Sequence, residues 1–423
     1  MRWSPRAALV RLHRWAGLYM AIFLVVAGST GVLLAFLGDL EVALNPEYRI
    51  IEPVDARFQP LLLHQQLQRR FAGARIDSIP LYHPPGEALH WWMQLPDPDH
   101  PGEHVESDVV IHPYTGAELS RRTTSIWPVN RKNLMAFVYR LHYSMALGNV
   151  GLWLFGVAAL VWTFDSFIGF WLTLPRLVRD PRRERRNAQA PPRDGWFRRW
   201  SPAWRVRWGG SRGKRHFDLH RATGLWLFPL LLAIAWAGVS FNLGDWVYRP
   251  TMHALFGMTE PMTWLPKAAA PREQPELPWL DAYHQAQMTM AQQAQLQGFG
   301  VLREQSLRYE PTVDAVVFSV LSDRDIATRW GHTELWLDGS TGRMLALELP
   351  SGVNSGRTLT SWVVAIHTAA FGGRAMQALI ALVGLGVVVL SLTGVAIWLR
   401  KRRAASAANA DRGSCKRFDN YTA

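Results

Sequence analysis

The chain has 423 residues, 49% of them hydrophobic, with 21 Trp and a mean hydropathy near zero, the balance of very apolar stretches against a polar remainder rather than of a single soluble globule. Its net charge of +13 is concentrated at the N-terminus, in residues 176–215 and in the C-terminal tail, a distribution that fits the flanks of membrane spans and not a nucleic-acid surface. One cysteine, Cys415, excludes within one chain a disulfide framework, a Cys-based zinc site, a thiolate-held iron–sulfur cluster and covalent haem attachment through C-x-x-C-H.

In chain order, Arg2, Arg6, Arg11 and Arg14 precede an apolar run from Ala16 to Leu37. The run is longer than a signal h-region and lacks a small-residue cleavage site, so it reads as a retained signal anchor. Four stretches are long enough to cross about 30 Å of hydrocarbon at about 1.5 Å per residue: Trp15–Leu37, Leu147–Leu174, Leu225–Leu243 and Met376–Leu399. The third contains Pro229, which a span tolerates where neighbours re-satisfy the backbone. Residues 176–215 carry 14 Lys and Arg against three acids, and Arg400-Lys401-Arg402-Arg403 follows the fourth span. The positive-inside rule therefore predicts cytoplasmic termini and a cytoplasmic middle loop, with residues 38–140 and 244–365 outside. Trp196, Trp200, Trp204 and Trp208 recur every four residues in that loop, and Ser201-Pro202 has the form of an N-cap followed by N1. This stretch is either an interfacial segment on anionic headgroups or a disordered basic linker.

Each outer segment combines a helical pattern, Leu61–Phe71 or Trp279–Gln297, with strand-like runs. In the second segment Asp314–Leu321 is apolar and β-branched, and Thr333–Asp338 alternates before Gly339-Ser340-Thr341-Gly342. The expectation is a polytopic α-helical membrane protein with two small α+β domains outside. Its parts are residues 1–37 (N-terminus and first span), 38–140 (first outer domain), 141–175 (second span), 176–215 (basic loop), 216–243 (third span), 244–365 (second outer domain), 366–400 (fourth span) and 401–423 (tail).

The two halves repeat. His13-Arg14-Trp15-Ala16-Gly17-Leu18-Tyr19 opens the first span and His220-Arg221-Ala222-Thr223-Gly224-Leu225-Trp226 the third. Eighteen residues after each His stands a glycine, Gly31 or Gly238. Leu141-His142 and Ile366-His367 precede Gly148 and Gly373 by six residues and Gly169 and Gly394 by 27, counted from the His. Upstream, Thr115-Gly116 and Thr341-Gly342 lie 26 and 25 residues before those histidines. A duplicated unit of helix, outer domain and helix follows, with both copies entering from the same side as parallel repeats.

These residues resemble the PepSY-associated transmembrane (PepSY_TM) family over nearly the whole chain, with Ile366 departing from the usual Leu-His. The resemblance implies PepSY-like periplasmic domains, a bacterial inner membrane, a link to iron uptake and, by likeness to some members, a b-type haem ferric-siderophore reductase. PepSY-like domains also occur in proteins that bind or inhibit others, so a non-enzymatic scaffold or regulator of an uptake or envelope complex is the alternative.

Histidine at the edge of a membrane is costly and usually functional. By position in the spans, His13 pairs with His220 at one face and His142 with His367 at the other. Two imidazoles at matched depth supply both axial ligands of a haem iron and leave no open site, which suits electron transfer. Two haems b would then connect the faces. Arg14 and Arg221 either pair with haem propionates or anchor helix ends. Gly17 and Gly224 either admit a flat macrocycle or let helices pack closely. His216 is an alternative ligand four residues before His220. His83, His90, His100, His104 and His112 match no metal motif and read as surface residues, while Trp91-Trp92 and Trp330 are either contacts for an aromatic or chelating substrate or, as such residues more often are, core or interface. No flavin or nicotinamide fingerprint is evident, so the electron donor is expected to be separate, a quinol or flavoprotein, with the lipid bilayer and a ferric siderophore or other iron chelate as the remaining partners.

Overall fold

The computed structural model describes residues 4–51, 57–97, 100, 102–123, 130–175 and 195–419, with side chains to residue 407. Residues 176–194 of the basic stretch and the side chain of Cys415 lie outside these. The principal helices are α1 (Pro5–Leu34), α2 (Leu37–Leu44), α3 (Pro60–Arg70), α4 (Leu134–Ser144), α5 (Gly148–Thr173), α6 (Arg212–Trp226), α7 (Phe228–Asn242), α8 (Arg249–Phe256), α9 (Trp279–Gln297), α10 (Ser355–His367) and α11 (Gly373–Asp419). The strands are β1 (Ser78–Pro80), β2 (Leu89–Pro96), β3 (His104–Ile111), β4 (Glu118–Thr123), β5 (Val301–Glu310), β6 (Ala315–Ser322), β7 (Thr333–Asp338) and β8 (Met344–Glu348). The chain divides into a helical unit, residues 1–32, 141–243 and 379–423, and a sheet unit, residues 33–140 and 244–378.

In the helical unit, α1, α5 and α11 are each long and apolar enough to cross a membrane, and a chain with several such helices is a multi-pass membrane protein. The expected third span differs. It is a pair, α6 and α7, bent by 74° at Leu227. Pro229 is the cause. A proline has no N–H to give the preceding turn and its ring collides with the carbonyl four residues back, so α6 stops at Trp226 and α7 restarts with Pro229 in its first turn. At 15 residues α7 is only about 22 Å long.

Small residues set the helix contacts, as they do where lipid removes the hydrophobic drive for association. A Cβ on Gly28 of α1 would stand 2.8 Å from the carbonyl oxygen of Gly384 on α11, and one on Gly156 of α5 2.6 Å from Leu243 beyond α7. Leu231, Val383 and Val387 form the buried centre, with Leu24, Trp162 and Leu227 packed on it. Asn242 donates to the carbonyls of Tyr143 and Leu152. Large apolar side chains such as Ile22, Phe164, Leu382 and Leu392 stay exposed, the composition of a lipid-facing surface.

Three of the four tryptophans of the middle loop lie on a short helix, Trp196–Trp200, and a 3-10 turn, Ser201–Trp204. Rings of Trp196, Trp200, Trp204 and Trp226 contact in series at 5.1–5.9 Å. Ser201 does not cap a helix. Its hydroxyl donates back to the Arg198 carbonyl.

In the sheet unit the two outer segments do not close separate sandwiches. β1 of the first segment pairs antiparallel with β5 of the second, Ile79 opposite Leu307, to give the order β1-β5-β6-β7-β8. The other sheet is β2-β3-β4. One core joins Leu63, Leu67, Trp91, Val109 and Ile111 to Ala282, Met290, Leu307, Phe318 and Leu335. Burial follows the two-residue period of a strand. In β2, Leu89, Trp91, Met93 and Leu95 are buried while Trp92, Gln94 and Pro96 are exposed. All eight residues of β6 are buried, because Val316, Phe318 and Val320 face the shared core while Ala315 and Val317 pack with Trp336 and Leu265 on the other side.

The Thr-Gly turns recur in detail. Gly116 has φ 69° and Gly342 φ 70°, the left-handed region that favours glycine. A Cβ there would meet Leu63 and Gln66 in the first segment and Leu277 and Gln285 in the second. Asp338 accepts from the Ser340 and Thr341 amides, and the ring of His112 at the matching place accepts from the Tyr114 amide.

Candidate functional site

Three of the four paired histidines lie in the helical unit, and each is held by Nδ1. His13 on α1 has Nδ1 2.9 and 3.0 Å from the two carboxylate oxygens of Asp165 on α5. His220 on α6 has Nδ1 3.0 Å from the Leu390 carbonyl and 3.3 Å from the Thr393 hydroxyl, both on α11. His142 on α4 has Nδ1 3.1 Å from the Ala27 carbonyl and 3.0 Å from the Thr30 hydroxyl, both on α1. A carbonyl or an ionised carboxylate only accepts, so Nδ1–H is the donor in each and a neutral ring keeps the lone pair on Nε2. Metal-ligating histidines are fixed in this way, the second nitrogen donating to a carboxylate or carbonyl.

Glycines stand against the same rings. A Cβ on Gly169 would be 3.4 Å from Cε1 of His13, on Gly394 3.3 Å from Cε1 of His220 and on Gly31 3.2 Å from Cε1 of His142. These are three of the four glycines that stand 18 residues after the first histidine or 27 after the second histidine of each half. The fourth, Gly238, faces Ala159 instead. His13 and His220 themselves stand with ring centroids 6.0 Å apart and planes inclined by 64°, so the first expected pair is brought together. His142 and His367 belong to the helical and the sheet unit respectively, and their pairing rests on the sequence pattern alone.

A model of the family described as the PepSY-associated TM region matches residues 10–401. The chain belongs to that family. No curated protein matches it.

The remaining positions of this PepSY_TM chain sort as follows. His142 and His367 do not open spans, contrary to expectation. They end α4 and α10, and a turn of left-handed residues then leads into the long helix: Met145, Ala146 and Gly148 after His142, and Ala369, Gly372 and Gly373 after His367. The two glycines six residues on have φ 58° and 56°, which explains why glycine recurs there. Gly17 has nothing within 4 Å of a built Cβ, while Gly224 meets Leu390 at 3.6 Å. Arg221 donates to the Pro202 carbonyl and to Asp218, and its buried Nε has no partner among the described residues. Arg14 makes no hydrogen bond among them. His216 lines a cavity of about 400 Å³ with Arg207, Lys214, Arg400 and Lys401, a lining that excludes the paired histidines.

In the sheet unit His83 is not a surface residue, while His90 lies on β2 with its side chain partly exposed. His83 is buried, and His90 bonds to Asp108, which Arg122 links to Glu41. Burial disfavours the His90 imidazolium, but the hydrogen bond and charge of Asp108 outweigh it and raise the His90 pKa. Trp91 belongs to the core and donates to the Ser78 carbonyl, whereas Trp92 and Trp330 are exposed. Asp97, His100 and Glu103 bring three ligand atoms within 4.8 Å of one another in a largely exposed turn.

Asp165 is the residue that sequence reasoning missed. A lone carboxylate inside an apolar span is itself a signal, and it falls 23 residues after His142, as Leu390 falls 23 after His367.

Proposed function

We propose that this protein is an inner-membrane b-type haem oxidoreductase that passes electrons across the bilayer to a ferric chelate. The observation that carries the reading is the set of three histidines anchored through Nδ1, each with a glycine against Cε1. Two imidazoles that would hold one haem iron between them must stand close together, each with Nε2 available. His13 and His220 stand at 6.0 Å. An edge contact between rings occurs at the same distance, but it needs neither the fixed Nδ1 donors nor the glycines.

The residues present fit a haem. Asp165 orients His13, and the Leu390 carbonyl and Thr393 hydroxyl orient His220. Gly17 leaves open space one turn from His13, and the unpartnered Nε–H of Arg221 suits a propionate, as does the guanidinium of Arg14. His142, held by Ala27 and Thr30, would carry the second haem with His367, following the sequence repeat. Bound haem supplies one-electron exchange without an open iron site. The chain's own residues hold the ligands, exclude water with the apolar side chains of α1, α5, α7 and α11, and position the rings.

The two halves are read as parallel repeats, with basic flanks cytoplasmic and residues 38–140 and 244–365 periplasmic. A quinol or flavoprotein gives up two electrons and two protons, and two ferric chelates each take one electron to become ferrous. A siderophore binds ferrous iron weakly, so the metal is released. The visible spectrum of the detergent-purified protein, oxidised and then reduced, tests the proposal. Reduction should bring up a b-type spectrum with two haems per chain. Folded protein without haem would sink the reading and leave the scaffold alternative.

A further inference from the structure

We propose that Asp165 is a positioning residue that lowers the reduction potential of the haem held by His13 and His220, an inference that rests on the haem reading above. Asp165 is 5% exposed, on an apolar span. A carboxylate there is costly unless it is bonded. Both of its oxygens lie within hydrogen-bond distance of one atom, Nδ1 of His13.

The second half shows what the carboxylate adds. At the matching position stands Leu390, whose backbone carbonyl holds Nδ1 of His220 at 3.0 Å. A carbonyl also holds His142. Fixing the ring therefore needs no side-chain acid. What a carboxylate supplies beyond a carbonyl is negative charge and a stronger pull on Nδ1–H, which makes the imidazole a better donor through Nε2. The ferric state of a bis-imidazole haem carries one more positive charge than the ferrous state, so a fixed anion beside one ligand stabilises the oxidised form.

The test is a redox titration of the purified holoprotein at fixed pH, followed by its visible spectrum. Asp165→Asn keeps an acceptor oxygen and removes the charge. One of the two midpoint potentials should rise by at least a tenfold change in the reduction equilibrium, 59 mV for one electron, while the other stays. Asp165→Glu should restore it. Should the Asn variant lose haem, Asp165→Thr, which copies the hydroxyls that face His142 and His220, serves instead with the same expected rise. Retained haem with both potentials unmoved in the neutral variant would assign Asp165 a structural role and overturn the proposal. Wild-type protein without haem would be seen before any variant is made, and would fail the functional reading itself.

Discussion

Asp165 and Leu390 stand at one position of a repeated sequence unit, and each accepts a hydrogen bond from Nδ1 of the first histidine of its own half, His13 at 2.9 Å and His220 at 3.0 Å. The same geometric task is done once by a side chain and once by the backbone. Composition differs while the hydrogen bond to Nδ1 is kept, an arrangement that on the haem reading leaves Nε2 of each ring to the iron.

Haem occupancy should follow the glycines as well as the histidines. His13→Ala or His220→Ala is expected to halve the haem-to-protein ratio. Gly169→Val and Gly394→Val should do nearly the same, because a Cβ alone already stands 3.4 and 3.3 Å from Cε1 of His13 and His220 and a branched side chain would drive the ring from its place. Absorbance of the pyridine-extracted haem per protein measures this. Full occupancy in all four variants would refute ligation by this pair.

The contact of α1 with α11 should be intolerant of added volume. Gly28→Val would push Cβ against the Gly384 carbonyl at 2.8 Å and Val388 at 3.0 Å. Overpacking of this kind costs about 1–3 kcal/mol. The thermal midpoint in detergent should fall accordingly, and an unchanged midpoint would mean the two helices can separate freely at this point.

Arg122 lies between Glu41 and Asp108, with its side chain 9% exposed. Arg122→Ala would leave two buried carboxylates without their cation, a change that costs about 3–5 kcal/mol. Arg122→Lys should recover only part of this, since an ammonium cannot reproduce the forked contact. Denaturation of both variants, monitored by tryptophan fluorescence, tests the order wild type, Lys, Ala.

Burial raises the Glu348 carboxyl to about 7 against the lowering charge of Arg357, with Glu334 and Glu260 adding repulsion. An unfolded chain returns it to about 4.3. The folded state binds this proton more tightly, so its contribution to stability is complete below about pH 4.3 and is lost as pH rises through about 7. Wild-type stability relative to Glu348→Gln should therefore decline across that window. A difference that does not vary with pH would contradict it.

Much of this was readable in the sequence, for reasons that differ by element. Helix α9 spans Trp279–Gln297, as its pattern predicts, with Pro278 and Gly298 at its ends. β6 and β7 followed from β-branched and alternating residues. The recurring glycines were visible as spacing, but their role against histidine rings was not, since a glycine's neighbours come from other helices. Pro229 is plain in the sequence but the size of its effect is not: hydropathy averages over a window and does not register a 74° break. The placement of His142 and His367 at helix ends was hidden because the turns after them use Met145, Ala146 and Ala369 at positive φ, where sequence gives no warning. The sharing of one sheet by both outer segments was illegible for a related reason. A three-residue strand such as β1 carries no pattern that names its neighbour.

That shared sheet bears on how the protein is made. Ile79 emerges from the ribosome long before Leu307, its partner across the ladder, so the first half stays unfinished until Val301–Glu310 has been synthesised. A half-length chain would present β1 and part of the common core uncovered, a site for proteolysis or for pairing with the wrong strand. Two halves expressed as separate chains should rescue one another, and neither should persist alone.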